Sequence, residues 1–262
     1  IPCVGPSKYF AQLEGSKEFA KHWMKEYSVP TAECRVGHSM DERRKIVNDW
    51  DFSSPLVVKA DGLAGGKGVV IAKEKQEALD AVEAFSSHGS MVFEEFLEGV
   101  EISLTVLISD DSYVLCPPVQ DHKRRFDGQT GPNTGGMGTV SPPVWWTDEI
   151  EKSLRKSIVE PSVKSIWKVQ KEREELFRGV LFIGVMVDAN GKGKVLEYNV
   201  RFGDPETQPL TYRFEGDWLD TLELLAQGKE LPKNFEDGFS TSSAVTLIAV
   251  AGEYPKKGYQ GP

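Results

Sequence analysis

Apolar positions along the chain alternate between a helical and a strand-like rhythm, with no internal repeat. Phe19, Trp23, Met24 and Tyr27 recur at helical spacing, which predicts a helix capped by Ser16 and ended by Pro30. Leu56–Ala60 and Val69–Ala72 are short β-rich runs, and the residues between them include four glycines, so a hairpin closed by a glycine loop is expected. A helix over 74–85 should turn Ala78, Val82 and Phe85 inward, and strands follow near 91–96, 102–109 and 113–119. The glycine-rich stretch 128–138 reads as coil. Thr147 or Asp148 can cap a long helix running through Trp167. Residues 181–189 and 194–202 predict a second hairpin around Asn190 and Gly191, 217–226 a further helix, and 243–252 the start of another strand.

Composition narrows this to an ordinary folded protein: 262 residues, 39% hydrophobic and 27% charged, enough for one large or two smaller domains with a sizeable core. With 31 basic and 40 acidic residues the net charge is −9, and no Lys/Arg block exceeds three, which argues against bulk nucleic-acid binding. The longest apolar runs, 180–187 and 244–251, fall far short of the ~20 residues a membrane helix needs. Cys3, Cys34 and Cys116 are too widely spaced for a disulfide framework or a zinc knuckle, so a cytoplasmic setting is the default. His22, His38, His88 and His122 lack the i, i+4 pairing of a zinc-protease helix. The chain opens on Ile1 and Pro2 without a methionine and stops at Pro262 after an apolar run, so both ends are expected to be cut points in a longer protein.

Four segments carry candidate chemistry. In the first, Lys59 to Gly68, glycine N–H groups can close on phosphate oxygens while Lys59 and Lys67 supply charge. It is not a P-loop, because Asp61 holds the first glycine position, Gly68 replaces the magnesium-binding hydroxyl and a strand follows. A protein kinase is excluded by the lack of His-Arg-Asp and Asp-Phe-Gly segments. The bland alternative is a turn with incidental lysines. In the second segment, strand alternation puts Glu197, Asn199 and Arg201 on one face and Leu196, Tyr198, Val200 and Phe202 on the other, toward a core. A carboxylate beside an amide oxygen suits magnesium bridging nucleotide phosphates, and an arginine one step on suits phosphoryl charge; a solvated strand face is the alternative. Asp204 and Glu206 bring two more carboxylates to the strand end.

The third segment, Glu94 to Glu101, runs a strand into a turn whose backbone can read an adenine edge while a carboxylate takes ribose hydroxyls. In the fourth, Asp121, His122, Lys123 and Arg124 precede a glycine cluster at Gly135 and Gly136, locally basic and suited to an anion nest.

In this order the four segments resemble the ATP-grasp ligases and, among them, the glycinamide ribonucleotide synthetases of de novo purine synthesis. The resemblance rests on Gln-Leu-Glu-Gly-Ser-Lys at 12–17, the 59–68 loop, Glu-Glu-Phe-Leu at 94–97, Gln-Asp-His-Lys-Arg at 120–124, Gly-Pro-Asn-Thr-Gly-Gly-Met-Gly at 131–138 and Arg-Phe-Gly-Asp-Pro-Glu-Thr-Gln at 201–208. It implies a mixed α+β and α/β fold, the ATP-grasp fold of two lobes enclosing a nucleotide. By analogy 1–7 ends a preceding domain or linker, 8–237 is the ATP-grasp unit with a mobile lobe at about 29–97, and 238–262 starts a further domain. The implied reaction phosphorylates the glycine carboxylate with ATP; the amine of 5-phosphoribosylamine then displaces phosphate to form an amide. Other ATP-grasp ligases and a non-catalytic nucleotide-binding module are the alternatives.

Carried over residue by residue, the resemblance puts Lys59, Gly65, Gly66, Lys67 and Gly68 at the ATP phosphates, Glu94, Glu95 and the Leu97 backbone at adenine, and Glu101 at the ribose. Glu197 and Asn199 match Mg2+ (or Mn2+) ligands. Where some relatives have a third metal carboxylate, Gly184 is expected to stand. Arg201 would stabilise the transferring phosphoryl group, with Asp204 and Lys123 as further catalytic candidates. Asp204 and Glu206 are candidates for the substrate ammonium, and Asp121, His122, Lys123, Gly135, Gly136 and Met137 for the substrate side. The implied partners are small molecules, with no nucleic acid and no membrane. In some organisms such a ligase is fused to other purine-pathway enzymes. Without the flanking domains, the 262 residues are expected to bind ATP yet not to turn over.

Overall fold

The computed structural model describes residues 1–62 and 68–255. After the short strand β1 (Gly5–Pro6) the chain forms α1 (Gln12–Gly15) and then α2 (Lys17–Glu26), the helix that the aromatic spacing predicts. Ser16 caps α2, its hydroxyl accepting from Phe19 N at 3.1 Å. The helix ends at Glu26, ahead of Pro30, where Ser28 turns left-handed and Val29 N–H returns to Met24 O.

A smaller lobe follows: β2 (Cys34–Gly37), α3 (Met40–Asn48), β3 (Leu56–Ala60), β4 (Val69–Ala72), α4 (Lys75–Ala84) and β5 (Met91–Glu95). Its antiparallel sheet runs β2-β5-β3-β4. The expected β3/β4 hairpin pairs Leu56 with Ala72 and Lys59 with Val69. Every residue of β3 is buried, Lys59 included, whereas β4 is an edge with Val69 and Ile71 exposed. Val47, Leu56, Val58, Ala78, Val82 and Phe93 form the core under α3 and α4. The sequence reading did not anticipate β2 and α3. The apolar stripe of α3 is thin, and its sharpest signal is the Ser39/Glu42 capping box at its start.

The larger lobe contains β6 (Val100–Ile108), β7 (Tyr113–Leu115), β8 (Gln120–Asp121), β9 (Arg124–Phe126), β10 (Thr130–Asn133), β11 (Gly138–Ser141), α5 (Asp148–Leu154), α6 (Glu160–Arg173), β12 (Phe177–Val187), β13 (Gly193–Asn199), α7 (Thr207–Arg213), α8 (Trp218–Gln227) and β14 (Ala244–Leu247). Its main sheet runs β1-β12-β6-β7, with β13 on β12 as the second predicted hairpin. One face of this sheet packs with α2 and α6 in a core that includes Phe10, Trp23, Ile102, Ile158, Ile166 and Ile183. On the other face, Leu107 and Val180 meet Leu210 and Leu225 of α7 and α8.

Two expectations need correction. The 128–138 stretch is not coil throughout: β9 and β10 pair across a 3-10 turn, and β11 begins at Gly138 between β8 and β14. Period-two counting misses strands whose residues are mostly glycine and polar. The long helix from Thr147 is interrupted by a π turn at Arg155–Val159 and extends beyond Trp167 to Arg173. Pro161 has no N–H to give the preceding turn, and the wider turn, with Glu160 N–H on Arg155 O, accommodates it.

Candidate active site

The lobes meet around buried charges. Lys59 of β3 places Nζ 2.9 Å from Glu94 Oε2 of β5, and Lys21 of α2 reaches the same oxygen at 3.2 Å. Lys59 also donates to Leu196 O at 3.3 Å, and Lys194 of β13 pairs with Glu95 at 2.6 Å. Glu94 Oε1 is buried and has no partner among the described residues. Beside it lies a cleft of about 300 Å³ lined by Lys17, Lys21, Gly68, Glu94, Leu196, Glu197, Asn199 and Arg201, among others. Burial draws the Lys17 ammonium below its ordinary value, against the opposing pull of Glu197 and Asp61.

Asp61 explains why the hairpin loop departs from a P-loop. Its carboxylate accepts from Ser16 Oγ (3.0 Å), Ser90 Oγ (3.2 Å) and the N–H groups of Lys17 and Glu18 at the start of α2. A negative group at a helix N-terminus meets unpaired donors and the positive dipole end. Asp61 therefore ties the glycine hairpin of one lobe to a helix of the other, and Lys17 Nζ adds a bond to Gly62 O at 2.7 Å.

On β13 the expected alternation breaks. Glu197 pairs with Gly184 but Val195 pairs with Val185, so Leu196 is the extra residue of a β-bulge. Leu196 consequently lines the cleft and offers its carbonyl to Lys59, while Tyr198 stays in the core against Ser162. Gly184 stands opposite Glu197, as the sequence suggested; a Cβ there would lie 3.5 Å from Glu197 Cγ. Glu197 and Asn199 reach the cleft together, and Arg201 Nη2 donates to Asn199 Oδ1 at 3.3 Å.

The same face of the sheet continues to a second cluster. Gly184 pairs with Ser103 of β6, and Ser103 Oγ donates to Glu206 Oε1 at 3.0 Å. Glu206 is buried, and burial raises its carboxyl above the usual range. Asp121, on β8, is pushed up to about 7 by burial and by Glu206, and its Oδ1 is buried with no partner among the described residues. Gly136 (φ +123°) packs against this carboxylate: a Cβ there would come within 2.9 Å of Asp121 Oδ1. Lys123 pairs with Glu101. Burial works against its charge, but Glu101, Glu197 and Asp121 outweigh that and raise it above the ordinary lysine value.

The remaining expected site residues fall in several places. Gly65, Gly66 and Lys67 lie outside the described residues. Leu97 lines a second, apolar cavity of about 560 Å³ with Pro30, Met186 and Lys194. Asp204 is exposed and accepts from Gln208 Nε2 at 2.7 Å in the first turn of α7, whereas Asp121 is half-buried and Glu206 buried. The anion nest expected at Gly135 and Gly136 is already partnered, Gly135 N–H by Tyr254 Oη (2.9 Å) and Gly136 N–H by Thr134 Oγ1 (3.0 Å). His122 and Met137 are joined through backbone, Met137 N to His122 O at 2.8 Å.

No functional role follows from the sequence for Glu14, Lys17, Lys21, Asp61 or Ser103, and alternation places Leu196 in the core rather than in the cleft it lines. A signal existed for the lysines: at i, i+4 they share the helix face opposite the aromatic stripe. None existed for Ser103, which is defined only by its pairing with Gly184.

The model of the family described as phosphoribosylglycinamide synthetase, ATP-grasp (A) domain, matches residues 15–207. A phosphoribosylamine–glycine ligase of Leptospira interrogans is 39% identical over 97% of this chain and 60% of its own length. A bifunctional purine biosynthetic protein of Pichia angusta is 40% identical over all of this chain and 33% of its own. The solved structure of a phosphoribosylamine–glycine ligase from Thermotoga maritima matches with a TM-score of 0.83 at 36% identity, covering 96% of this chain and 63% of that one. The chain thus spans about 60% of the length of the single-function relatives it matches. With the two-lobed fold and the matched residues in agreement, the chain belongs to the phosphoribosylglycinamide synthetase ATP-grasp (A) domain family.

Proposed function

We propose that this chain supplies the ATP-grasp part of a ligase that joins glycine to 5-phosphoribosylamine, giving glycinamide ribonucleotide, ADP and phosphate. The observation that carries the reading is a row across three strands. Glu197 stands beside Gly184 and Gly184 beside Ser103, which holds Glu206 next to Asp121. Two strand spacings put the Glu197 and Ser103 backbones about 10 Å apart, with Glu206 held on the Ser103 side. That separation suits a metal-bound triphosphate end at one site and a small amino acid at the other.

The nucleotide end is argued from charge and from one unsatisfied group. Lys59, Lys17 and the 65–68 loop take phosphate oxygens; the buried, unpartnered Glu94 Oε1 takes the adenine amine, with Glu95 and the Leu97 backbone beside it. Glu101 takes ribose hydroxyls, which requires it to share its carboxylate with Lys123. Glu197 and Asn199, all-oxygen donors on the cleft wall, fit Mg2+ or Mn2+, which when bound would neutralise phosphate charge.

At the substrate end, the half-buried Asp121 and the buried Glu206 make a receptor for the glycine ammonium, since a cation offsets the cost of keeping charged two carboxylates that burial raises. This leaves the glycine carboxylate directed toward the triphosphate end. Arg201 and Lys123 stabilise charge as the γ-phosphoryl group passes to a carboxylate oxygen and ADP departs. The phosphoribosylamine nitrogen then attacks the acyl carbon and phosphate leaves, with the His122 side chain at the phosphoribosyl end; the 135–137 N–H groups are already taken by Tyr254, Thr134 and His122. A cytoplasmic setting belongs to this reading, and so does the possibility of fusion to another purine-pathway enzyme in the natural protein. Among the described residues no helix is long and apolar enough to cross a membrane.

The test is calorimetric titration of this chain with ATP, with and without Mg2+, for wild type and Glu197→Ala. In parallel, ADP release is assayed in the full-length natural protein with glycine against other amino acids. Magnesium-dependent binding lost in Glu197→Ala and glycine-specific turnover are expected; binding indifferent to magnesium and to Glu197 would refute the reading.

A further inference from the structure

The last residue of β13 is Asn199, and the chain leaves the sheet at Val200 and Arg201, where no strand partner remains to hold it. Something else fixes this segment. Glu14, in α1, accepts from Val200 N at 2.9 Å through Oε2 and from Arg201 Nε at 3.0 Å through Oε1. The same guanidinium donates through Nη2 to Asn199 Oδ1 at 3.3 Å and through Nη1 to Phe202 O at 3.0 Å. One carboxylate therefore sets both the backbone just past Asn199 and the arginine that touches the Asn199 amide.

The setting is not that of an ordinary surface ion pair. The Glu14 side chain is 17% exposed against 58% for Arg201, so the carboxylate is the fixed partner and the arginine the one being placed. Glu14 is itself held by its neighbour Leu13, which is fully buried in the large-lobe core, and it lines the same cleft as Glu197 and Asn199. An exposed pair of this kind contributes little by itself. Here the carboxylate also satisfies the N–H of the residue after Asn199, and its other partner is the arginine assigned to phosphoryl charge, which in turn donates to Asn199 Oδ1.

We propose that Glu14 is a positioning residue that holds Asn199 and Arg201 in the geometry needed for a metal–nucleotide complex. The proposal rests on the assignment of Asn199 to the metal. The role of Glu14 runs through the Val200 backbone and the Arg201 guanidinium, the two groups its carboxylate holds. Groups behind metal ligands typically change metal affinity by about 10- to 100-fold when removed.

The experiment is a Mn2+ titration of this chain in the presence of ADP, following free Mn2+ by electron paramagnetic resonance, for wild type, Glu14→Ala, Glu14→Gln and Glu14→Asp. Metal-free ADP affinity and thermal midpoints are measured on the same samples. Glu14→Ala is expected to weaken Mn2+ binding about tenfold or more while metal-free ADP affinity stays within about twofold. Glu14→Gln, which keeps an acceptor for Val200 N–H, is expected to recover part of the loss. If all three variants bind Mn2+ as wild type does and differ only in melting temperature, the role is purely structural and the proposal is overturned. A wild type that binds Mn2+ normally but is unaffected by Asn199→Ala refutes the metal assignment, and with it this inference. A Glu14→Ala defect seen equally without metal points to a general collapse of the cleft, which also overturns it.

Discussion

Lys59 and Lys21, which come from different lobes, share a single oxygen of Glu94, at 2.9 and 3.2 Å. The Glu94 side chain is only 3% exposed, so removing it leaves two buried ammonium groups facing each other. Breaking a buried pair by deleting one partner costs about 3 to 5 kcal/mol. Glu94→Ala is accordingly expected to lose roughly that much stability in urea unfolding, whereas Lys59→Met is expected to lose less, because Lys21 still neutralises the carboxylate. Equal losses for the two variants would show that Lys21 does not compensate the carboxylate once Lys59 is gone.

How much of this arrangement was legible in the sequence depends on what holds each group. The β3/β4 hairpin, α2 and the Glu197–Asn199 face are local patterns, and they stand where the apolar rhythm puts them. The sharing of Glu94 between Lys59 and Lys21 is a relation between segments far apart in the chain, and no local period encodes it. The Leu196 bulge is hidden for another reason: one inserted residue shifts a strand's register, so strict alternation assigns Leu196 to the core when it lines the cleft. The sequence marks Asp61 only as a departure from a P-loop glycine, because its partners at the start of α2 lie more than 40 residues away.

Asp61 leads to a second prediction. Its carboxylate serves two hydroxyls and two N–H groups of a helix start, so Asp61→Ala removes a cap and a favourable dipole interaction together. The expected loss is about 1 to 2 kcal/mol, measured by chemical unfolding. Asp61→Asn keeps an acceptor and should fall between the two. Because Lys17 follows this cap directly, Asp61→Ala is also expected to weaken ATP binding in calorimetry. Unchanged affinity together with lost stability would confine Asp61 to holding the helix.

Gly184 and Gly193 make a contrasting pair on the β12/β13 hairpin. A Cβ on Gly184 would only touch Glu197 Cγ at 3.5 Å, ordinary contact on the cleft side. A Cβ on Gly193 would push into Leu154, Val185 and Ile158 inside the core. Gly184→Ala is therefore expected to fold with stability within about 1 kcal/mol of wild type, and Gly193→Ala to lose about 1 to 3 kcal/mol through overpacking. Thermal melts of the two variants decide this, and the reverse order would contradict the packing described.

The Asp121 carboxyl gives the sharpest pH prediction. Burial and the nearby Glu206 push it up to about 7, against the opposing effect of Lys123, from an ordinary value of about 4. A raised aspartate binds its proton more tightly in the folded chain than in the unfolded one. Its contribution to stability is thus full below about pH 4 and is lost as pH rises through about 7. Between pH 5.5 and 8 the wild-type melting temperature should fall more steeply than that of Asp121→Asn, which cannot ionise. Glycine added to the full-length natural protein at pH 8 should recover part of the wild-type loss if its ammonium sits between Asp121 and Glu206, and should do nothing for Asp121→Asn. Parallel pH profiles for the two proteins would show that Asp121 does not titrate in this range, and a glycine effect preserved in the variant would place the ammonium elsewhere.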